Sequence, residues 1–344
     1  MSETLRAVIQ LLAALLLAPV LLGIVNRVKA VFAGRRGSPL LQAWYDVAKL
    51  LGKSAVYSRT TGWVFKAGPV VGLSAMILCV ALLPWTGAPT LLAFDGDLVL
   101  LVGLLALARF VTIAAALDTG SAFEGMGASR EAWFSSLGEP ALLVGLASLA
   151  RIRGSLSIAG VFAGSVDLAA PGGARFVSGP AAFGGAGAVF GGASSAFSGA
   201  VMILAAVALF IVFLAENARI PVDDPATHLE LTMIHEVMVL DHGGVDLAYI
   251  QYGASLKLWV LGGLVVSLLA PRTGSWYLDV VVSLAGLAVV AAATGVVESI
   301  MARLRLVRVP QLLVAALAMS ALGLCLALVG GPGGQLALTA GGTP

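Results

Sequence analysis

Charge is scarce in this sequence. Asp, Glu, Lys and Arg together make up 11 % of the 344 residues, against about 25 % in a typical soluble domain. So little polar surface cannot cover a water-soluble globule of this size. That excludes a soluble enzyme, a disordered regulator and a nucleic-acid binder. The charges nearly cancel, 20 basic against 18 acidic residues, so no general electrostatic partner is implied. Cysteine is almost absent, and Cys79 and Cys325 both lie inside apolar runs. Two thiols fall short of the four ligands that an iron–sulfur cluster normally takes, and they read as packing residues. No cofactor is expected on this chain. Any redox centre belongs to a partner, or the redox carrier is a diffusible lipid-soluble molecule.

Apolar residues are abundant, at 59 % of the chain. A membrane-spanning helix needs about 20 mostly apolar residues. Eight stretches qualify, near 5–25, 67–85, 98–117, 137–149, 200–215, 254–269, 278–297 and 311–329. The expected fold is a single all-α integral membrane domain over residues 1–344, with about eight transmembrane helices plus cytoplasmic amphipathic helices. The first stretch exceeds the ~7–15-residue core of a signal peptide, and its positive charges follow it. It reads as a retained helix with its N-terminus outside, and eight spans then return the C-terminus outside. Under this reading 13 Lys and Arg lie on the cytoplasmic side and 5 outside, with Arg109 and Lys257 inside spans. That asymmetry is the one expected of a multi-pass protein of the inner, cytoplasmic membrane. Residues 154–198 carry eleven glycines and read as an outer loop with short interfacial pieces, since glycine weakens any continuous helix.

Three cytoplasmic loops hold most of the chemistry. The first, 26–66, is basic and contains Arg35, Arg36, Gln42, Asp46 and Lys49. Residues 40–51 alternate at helical spacing, which suits a short amphipathic helix at the membrane face, and the loop is a candidate docking surface. The second, 118–139, contains Asp118, Glu124, Arg130 and Glu131, and a span is expected to begin near Glu139-Pro140. Glu139 is followed by eleven uncharged residues. A carboxylate at that depth is costly and points to function, and a proton carrier is the natural role.

The third loop is the most informative. It holds seven of the 18 acids: Glu216, Asp223, Asp224, Glu230, Glu236, Asp241 and Asp246. Topology is set by Lys and Arg rather than by acids, so these carboxylates are expected to line a polar cavity or meet a basic partner. Arg219 is the loop's one arginine. Asp224 or Thr227 is expected to cap a helix carrying Glu230 and Glu236. His228, His235 and His242 lie seven apart, one stripe if the segment is helical. No metal site is expected from that spacing, and a proton or partner contact suits His228 and His235. Within the spans, Lys257 either snorkels or finds a partner, and Arg109 pairs with an internal acid.

These residues resemble the respiratory complex I subunit 1 family. Its signature is close to A-E-x-x-R-x-P-x-D-x-P followed by E-L, and this chain supplies Ala215, Glu216, Arg219, Pro221, Asp223, Pro225, Glu230 and Leu231. Gln42, Asp46, Lys49 and Leu50 match in the first loop, as do Gly127, Ala128, Arg130 and Glu139 in the second. Two glutamates usual in quinone-reducing members are replaced by Ala226 and His228, and a third by Gln251. The stretches 117–131 and 222–236 are more similar to the membrane subunits of formate hydrogenlyase and related group 4 membrane-bound [NiFe]-hydrogenases. That resemblance implies a non-catalytic coupling subunit. Its implied partners are the [NiFe]-hydrogenase large and small subunits, a ferredoxin-like iron–sulfur subunit and antiporter-like membrane subunits in the same lipid bilayer. The nickel–iron centre and iron–sulfur clusters then sit in those partners. The implied charge-coupling residues are Asp118, Glu124, Glu139, Glu216, Asp223, Asp224, Glu230 and Glu236, supported by Arg109, Arg130, Arg219 and Lys257. The alternatives are a quinone-site subunit of a complex I-like dehydrogenase, the one reading that brings a quinone, and a standalone ion transporter. The missing internal repeat argues against the transporter.

Overall fold

The computed structural model describes residues 2–162, 166–167, 175–176, 193–223, 233–273 and 275–329. Among these residues the helices are α1 (Glu3–Phe32), α2 (Gln42–Leu51), α3 (Trp63–Leu82), α4 (Asp97–Asp118), α5 (Ala122–Arg153), α6 (Ile158–Phe162), α7 (Ala193–Glu216), α8 (Gly244–Leu269), α9 (Trp276–Ile300) and α10 (Val309–Val329). All but α2 and α6 are long and apolar enough to cross a membrane, giving eight candidate spans. The chain is an all-α, multi-pass membrane protein. Its only described sheet is a two-residue antiparallel pair, Val166–Asp167 with Arg175–Phe176. Alternation along the chain puts the ends of α1, α4, α7 and α9, and the starts of α3, α5, α8 and α10, at one charged end.

The apolar stretch of α8 is 78 % buried, against 28 % for α9 and α10. It is the hub around which the other spans pack. Pro19 lies inside α1. Proline supplies no N–H, which frees the carbonyl four residues back. Tyr252 of α8 donates its hydroxyl to that carbonyl, on Leu15, at 2.9 Å. The indole of Trp44 in α2 donates to Leu16 O next to it, at 3.0 Å. One proline thereby anchors both the short amphipathic helix and the hub to the middle of α1. Close helix contact depends on small residues, as is usual where lipid removes the hydrophobic drive for helix association. A side chain at Gly295 of α9 would come within 2.9 Å of Val25 O of α1, and this approach carries the end of α9 to the basic end of α1.

Two helices differ from the sequence expectation. The second loop is largely helical, because α5 starts at Ala122 and keeps Pro140 inside it. Its polar residues made 122–139 look like a loop. As a helix, however, Glu124 and Glu131 fall seven residues apart on one face. Similarly, α8 begins at Gly244 rather than near 254, because its first ten residues are amphipathic rather than apolar. Among the described residues, Glu236 is not on the expected α-helix. Glu236–Val239 forms a single 3-10 turn, so His235 and His242 do not share a helical stripe. Asp224, Thr227, His228 and Glu230 lie outside the described residues.

Candidate functional site

Arg109 sits just past the middle of α4, with its side chain 5 % exposed. An isolated buried guanidinium is untenable in an apolar bundle, and three glutamates converge on it. Nη1 meets Glu139 at 2.6 Å, Nε meets Glu131 at 3.2 Å, and Nη2 meets Glu216. Lys257 of α8 reaches the same Glu216 oxygen at 3.0 Å. Two cations thus face three carboxylates contributed by α5 and α7, for a formal charge of −1. The planar guanidinium holds its five donors in a rigid fork that fixes several carboxylates at once, whereas a lysine's three donors rotate. Gly138 makes room: a Cβ there would lie 3.4 Å from Glu216 Oε1.

A second ion-paired group lies nearer the charged end. Glu298 of α9, its side chain fully buried, meets Lys29 of α1 at 2.8 Å and Arg219 at 3.5 Å. Beside it Asp223 meets Arg303 at 2.8 Å and accepts the backbone N–H of Ile234 and His235, each at 3.2 Å. A cavity of about 440 Å³ connects the two groups. Its polar wall includes Lys29, Asp46, Arg109, Glu131, Glu216, Arg219, Asp223, His235, Glu236 and Lys257, and its apolar wall includes Leu22, Val47, Leu73 and Met76. Gln42 is one turn from Asp46 and donates to it at 2.9 Å.

The other candidates are placed elsewhere. Asp118 accepts the N–H groups of Gly62 and Phe65, at 2.6 and 3.2 Å. Its charge is spent on the N-terminus of α3, where an anion complements the helix dipole. Arg130 donates to Met233 O at 2.9 Å and holds the loop backbone. Glu124 is 1 % exposed and accepts from the N–H of Asp241 at 3.0 Å. Arg35, Arg36 and Lys49 are exposed. Asp224, His228 and Glu230 fall on undescribed residues. Among the described residues, no three His, Cys, Asp or Glu side chains converge as a metal ion would require.

Sequence reasoning missed Glu131, Glu298, Lys29 and Arg303 as site residues. Glu131 was hidden because its segment read as a loop. Glu298 directly follows the seventh apolar run, so the argument applied to Glu139 would have found it. Lys29 and Arg303 looked like ordinary positive-inside charges, and only the folded bundle pairs them with acids.

The NADH dehydrogenase family model matches residues 5–329. Formate hydrogenlyase subunit 4 of Escherichia coli is 31 % identical over 317 residues, covering 90 % of this chain and 94 % of that protein. Hydrogenase-4 component C of the same organism is 31 % identical over 265 residues, covering 77 % of this chain and 75 % of that protein. Among solved structures, a chain of the membrane-bound sulfane sulfur reductase, an archaeal respiratory membrane complex, has the same fold. Its TM-score is 0.71 at 20 % identity, over 95 % of this chain and 100 % of that one. The chain therefore belongs to the NADH dehydrogenase family of complex I subunit 1 type, with formate hydrogenlyase subunit 4 and hydrogenase-4 component C as homologues.

Proposed function

We propose that this chain is the membrane-anchoring and coupling subunit of an energy-converting [NiFe]-hydrogenase complex of formate hydrogenlyase type. It links redox chemistry in a peripheral arm to proton or sodium translocation. The observation that carries this reading is the ion-paired group of Arg109, Lys257, Glu131, Glu139 and Glu216, part of it lining a cavity that also reaches Lys29, Asp46, Asp223 and Glu236 at the charged end. The charged end then faces the cytoplasm and both termini face outward, in the inner membrane. Its loops would dock the hydrogenase large and small subunits and a ferredoxin-like subunit, which hold the nickel–iron centre and the iron–sulfur clusters. Antiporter-like subunits adjoin in the bilayer. The cluster itself binds no redox group. It exchanges ion-pair partners.

Glu216 is shared by Arg109 and Lys257. Protonating it removes the anion that both cations hold, and Arg109 is then drawn to Glu139 and Glu131, which it already touches. A proton or charge arriving at the cavity wall thereby changes the electrostatics at Glu139. Glu139 has the most exposed side chain of the cluster, at 34 %, and so is the group positioned to act on a neighbouring membrane subunit.

A pull-down in mild detergent from the native membrane, read by mass spectrometry, tests the partner assignment. A nickel–iron large subunit with ferredoxin-like and antiporter-like subunits is the expected catch. A flavin-containing NADH module would overturn it. That outcome would favour a second reading, a quinone-site subunit, for which the partly apolar cavity is the supporting observation. Competitors for a quinone site inhibit the native activity only under that reading.

A further inference from the structure

We propose that Glu124, His242 and Asp246 form a separate proton-loading site at the charged end, and that the turn Glu236–Val239 gates its passage to the Arg109 cluster. The proposal rests on the coupling reading above and assigns the group that first takes up the proton.

These three side chains are 1 %, 5 % and 6 % exposed, respectively. Each keeps one buried atom without a hydrogen-bond partner: Glu124 Oε2, His242 Nδ1 and Asp246 Oδ2. The contrast with the Arg109 cluster is chemical. There every carboxylate meets a cation, whereas here no ion pair is recorded for Glu124 or Asp246 among the described residues. A buried carboxylate oxygen left without a hydrogen-bond donor is costly. A proton arriving at Glu124 Oε2 would satisfy that atom, with Asp246 and His242 beside the route.

The surroundings agree with that use. His242 stacks face to face on Phe65, with centroids 3.9 Å apart and planes 6° apart. Phe65 is itself fixed, because its N–H is bound by Asp118. The charged and titratable groups around the site are Tyr57 before α3, Lys66 on α3, Asp118 ending α4, Glu124 on α5, Asp241 in the loop and Asp246 on α8. The Nζ of Lys66 lies over the Tyr57 ring, 4.7 Å from its centroid, and the Tyr57 hydroxyl is raised from its ordinary acidity first by hydrogen bonding to Asp246. Tyr57 and Asp241 are exposed, so the site has contact with solvent. Burial lowers His242, while Asp246 and Asp241 pull it partly back.

Glu124 and Glu131 lie two turns apart on α5, about 10 Å along the axis at 1.5 Å per residue. Midway between them is Gly127, where a Cβ would fall 2.2 Å from Val237 Cγ1 and 3.0 Å from Met238 Cγ. The turn therefore seats two apolar side chains, beside the Ile234 carbonyl, against bare backbone between Glu124 and Glu131. Asp223 ties the start of this segment through Ile234 and His235, and Asp223 also lines the cavity. A change in charge at Asp223 thus acts on the turn directly. Only proton transfer is involved: an O–H or N–H bond at the site breaks as one forms at the receiving carboxylate.

The test uses the intact complex in proteoliposomes, with ion translocation and electron flow recorded together. Glu124→Gln keeps a carbonyl oxygen for the Asp241 N–H but cannot carry a proton. A merely structural role would leave it coupled. We expect Glu124→Gln and Asp246→Asn each to lower proton translocation per electron roughly tenfold or more, the scale of a lost proton-transfer group, and Glu124→Asp to retain most of it. Val237→Ala, which shortens the plug, should raise passive proton leak. Wild-type coupling in Glu124→Gln and Asp246→Asn, beside an impaired Glu216→Gln, refutes the loading site and leaves the coupling reading standing. If Glu216→Gln is also fully coupled, the coupling reading itself fails. An unchanged leak in Val237→Ala refutes the gate. In the full chain in nanodiscs, imidazole nitrogen NMR should show His242 titrating still lower in Asp246→Asn, because the carboxylate that favours imidazolium is gone. An unmoved titration would overturn the pairing.

Discussion

Two groups of buried acids lie on the same face of α5 and are treated in opposite ways. Glu131, with Glu139 and Glu216, is neutralised by Arg109 and Lys257. Glu124, two turns earlier, accepts the Asp241 N–H and hydrogen-bonds Thr119, and no cation meets it among the described residues. The chain therefore pairs the carboxylates around Arg109 with cations, and leaves Glu124, nearer the charged end, without one among the described residues. A charged acid next to a shared cation responds to electrostatics, whereas an unpaired acid responds to protons. Coupling a redox event to ion movement needs both kinds in sequence, and α5 carries both.

Removing Arg109 should have the largest effect, because it turns the paired group into an unpaired one. Arg109→Met leaves three carboxylates with one lysine, at a cost of up to about 3–5 kcal/mol for an uncompensated buried charge at Glu216 and less at the partly exposed Glu131 and Glu139. Low yield of assembled complex and loss of coupling are expected, checked by blue-native electrophoresis and translocation assays. Arg109→Lys should assemble better but couple poorly, since a point charge cannot hold three carboxylates in fixed geometry. A fully coupled Arg109→Met would break the comparison.

Glu298→Gln comes next. It releases Lys29 and Arg219 from their shared acid, and loss of a charged hydrogen-bond partner costs roughly 1–3 kcal/mol. A lower unfolding temperature and looser protection of the 217–223 segment in hydrogen exchange are expected, with the Arg109 cluster less affected. Asp118→Ala should be milder, about 1 kcal/mol for a lost helix cap. A large coupling defect with unchanged stability would instead promote Asp118 to the proton route.

The smallest expected effect is in pH dependence. Burial holds His242 below the ordinary histidine range. The unfolded imidazole therefore binds a proton that the folded one refuses. Stability from this site is fully present above about pH 6.5 and declines as the pH falls toward the folded value. Hydrogen-exchange protection around 240–246, taken relative to the intrinsic exchange rate at each pH, should weaken on acidification in the wild type. His242→Phe, which keeps an aromatic ring against Phe65, should remove that dependence.

The fold was largely legible in the sequence, because apolar runs of span length leave few alternatives. The beginnings of α5 and α8 were not, since Glu124, Arg130 and Glu131, and likewise Asp246 and Gln251, interrupt the apolar signal without interrupting the helix. At the site, Arg109, Lys257, Glu139 and Glu216 could be singled out because each charge stands in an apolar neighbourhood. Which acid each cation meets was not readable, since Arg109 and Glu216 are 107 residues apart. Asp118 shows the converse. The resemblance implied charge coupling there, and the fold adds what the sequence did not signal, two backbone amides bound by its carboxylate. The unpaired state of Glu124 is likewise invisible in sequence, because it depends on which cations fail to arrive.

The most direct measurement is ion translocation per electron in the reconstituted complex, wild type against Glu216→Gln, with assembly verified in the same preparation. Glutamine keeps the shape and an oxygen but removes the anion that Arg109 and Lys257 share. The expected result is an assembled complex in which redox turnover stalls or proceeds without moving ions. An unchanged ratio of ions to electrons would contradict the role given to this buried cluster.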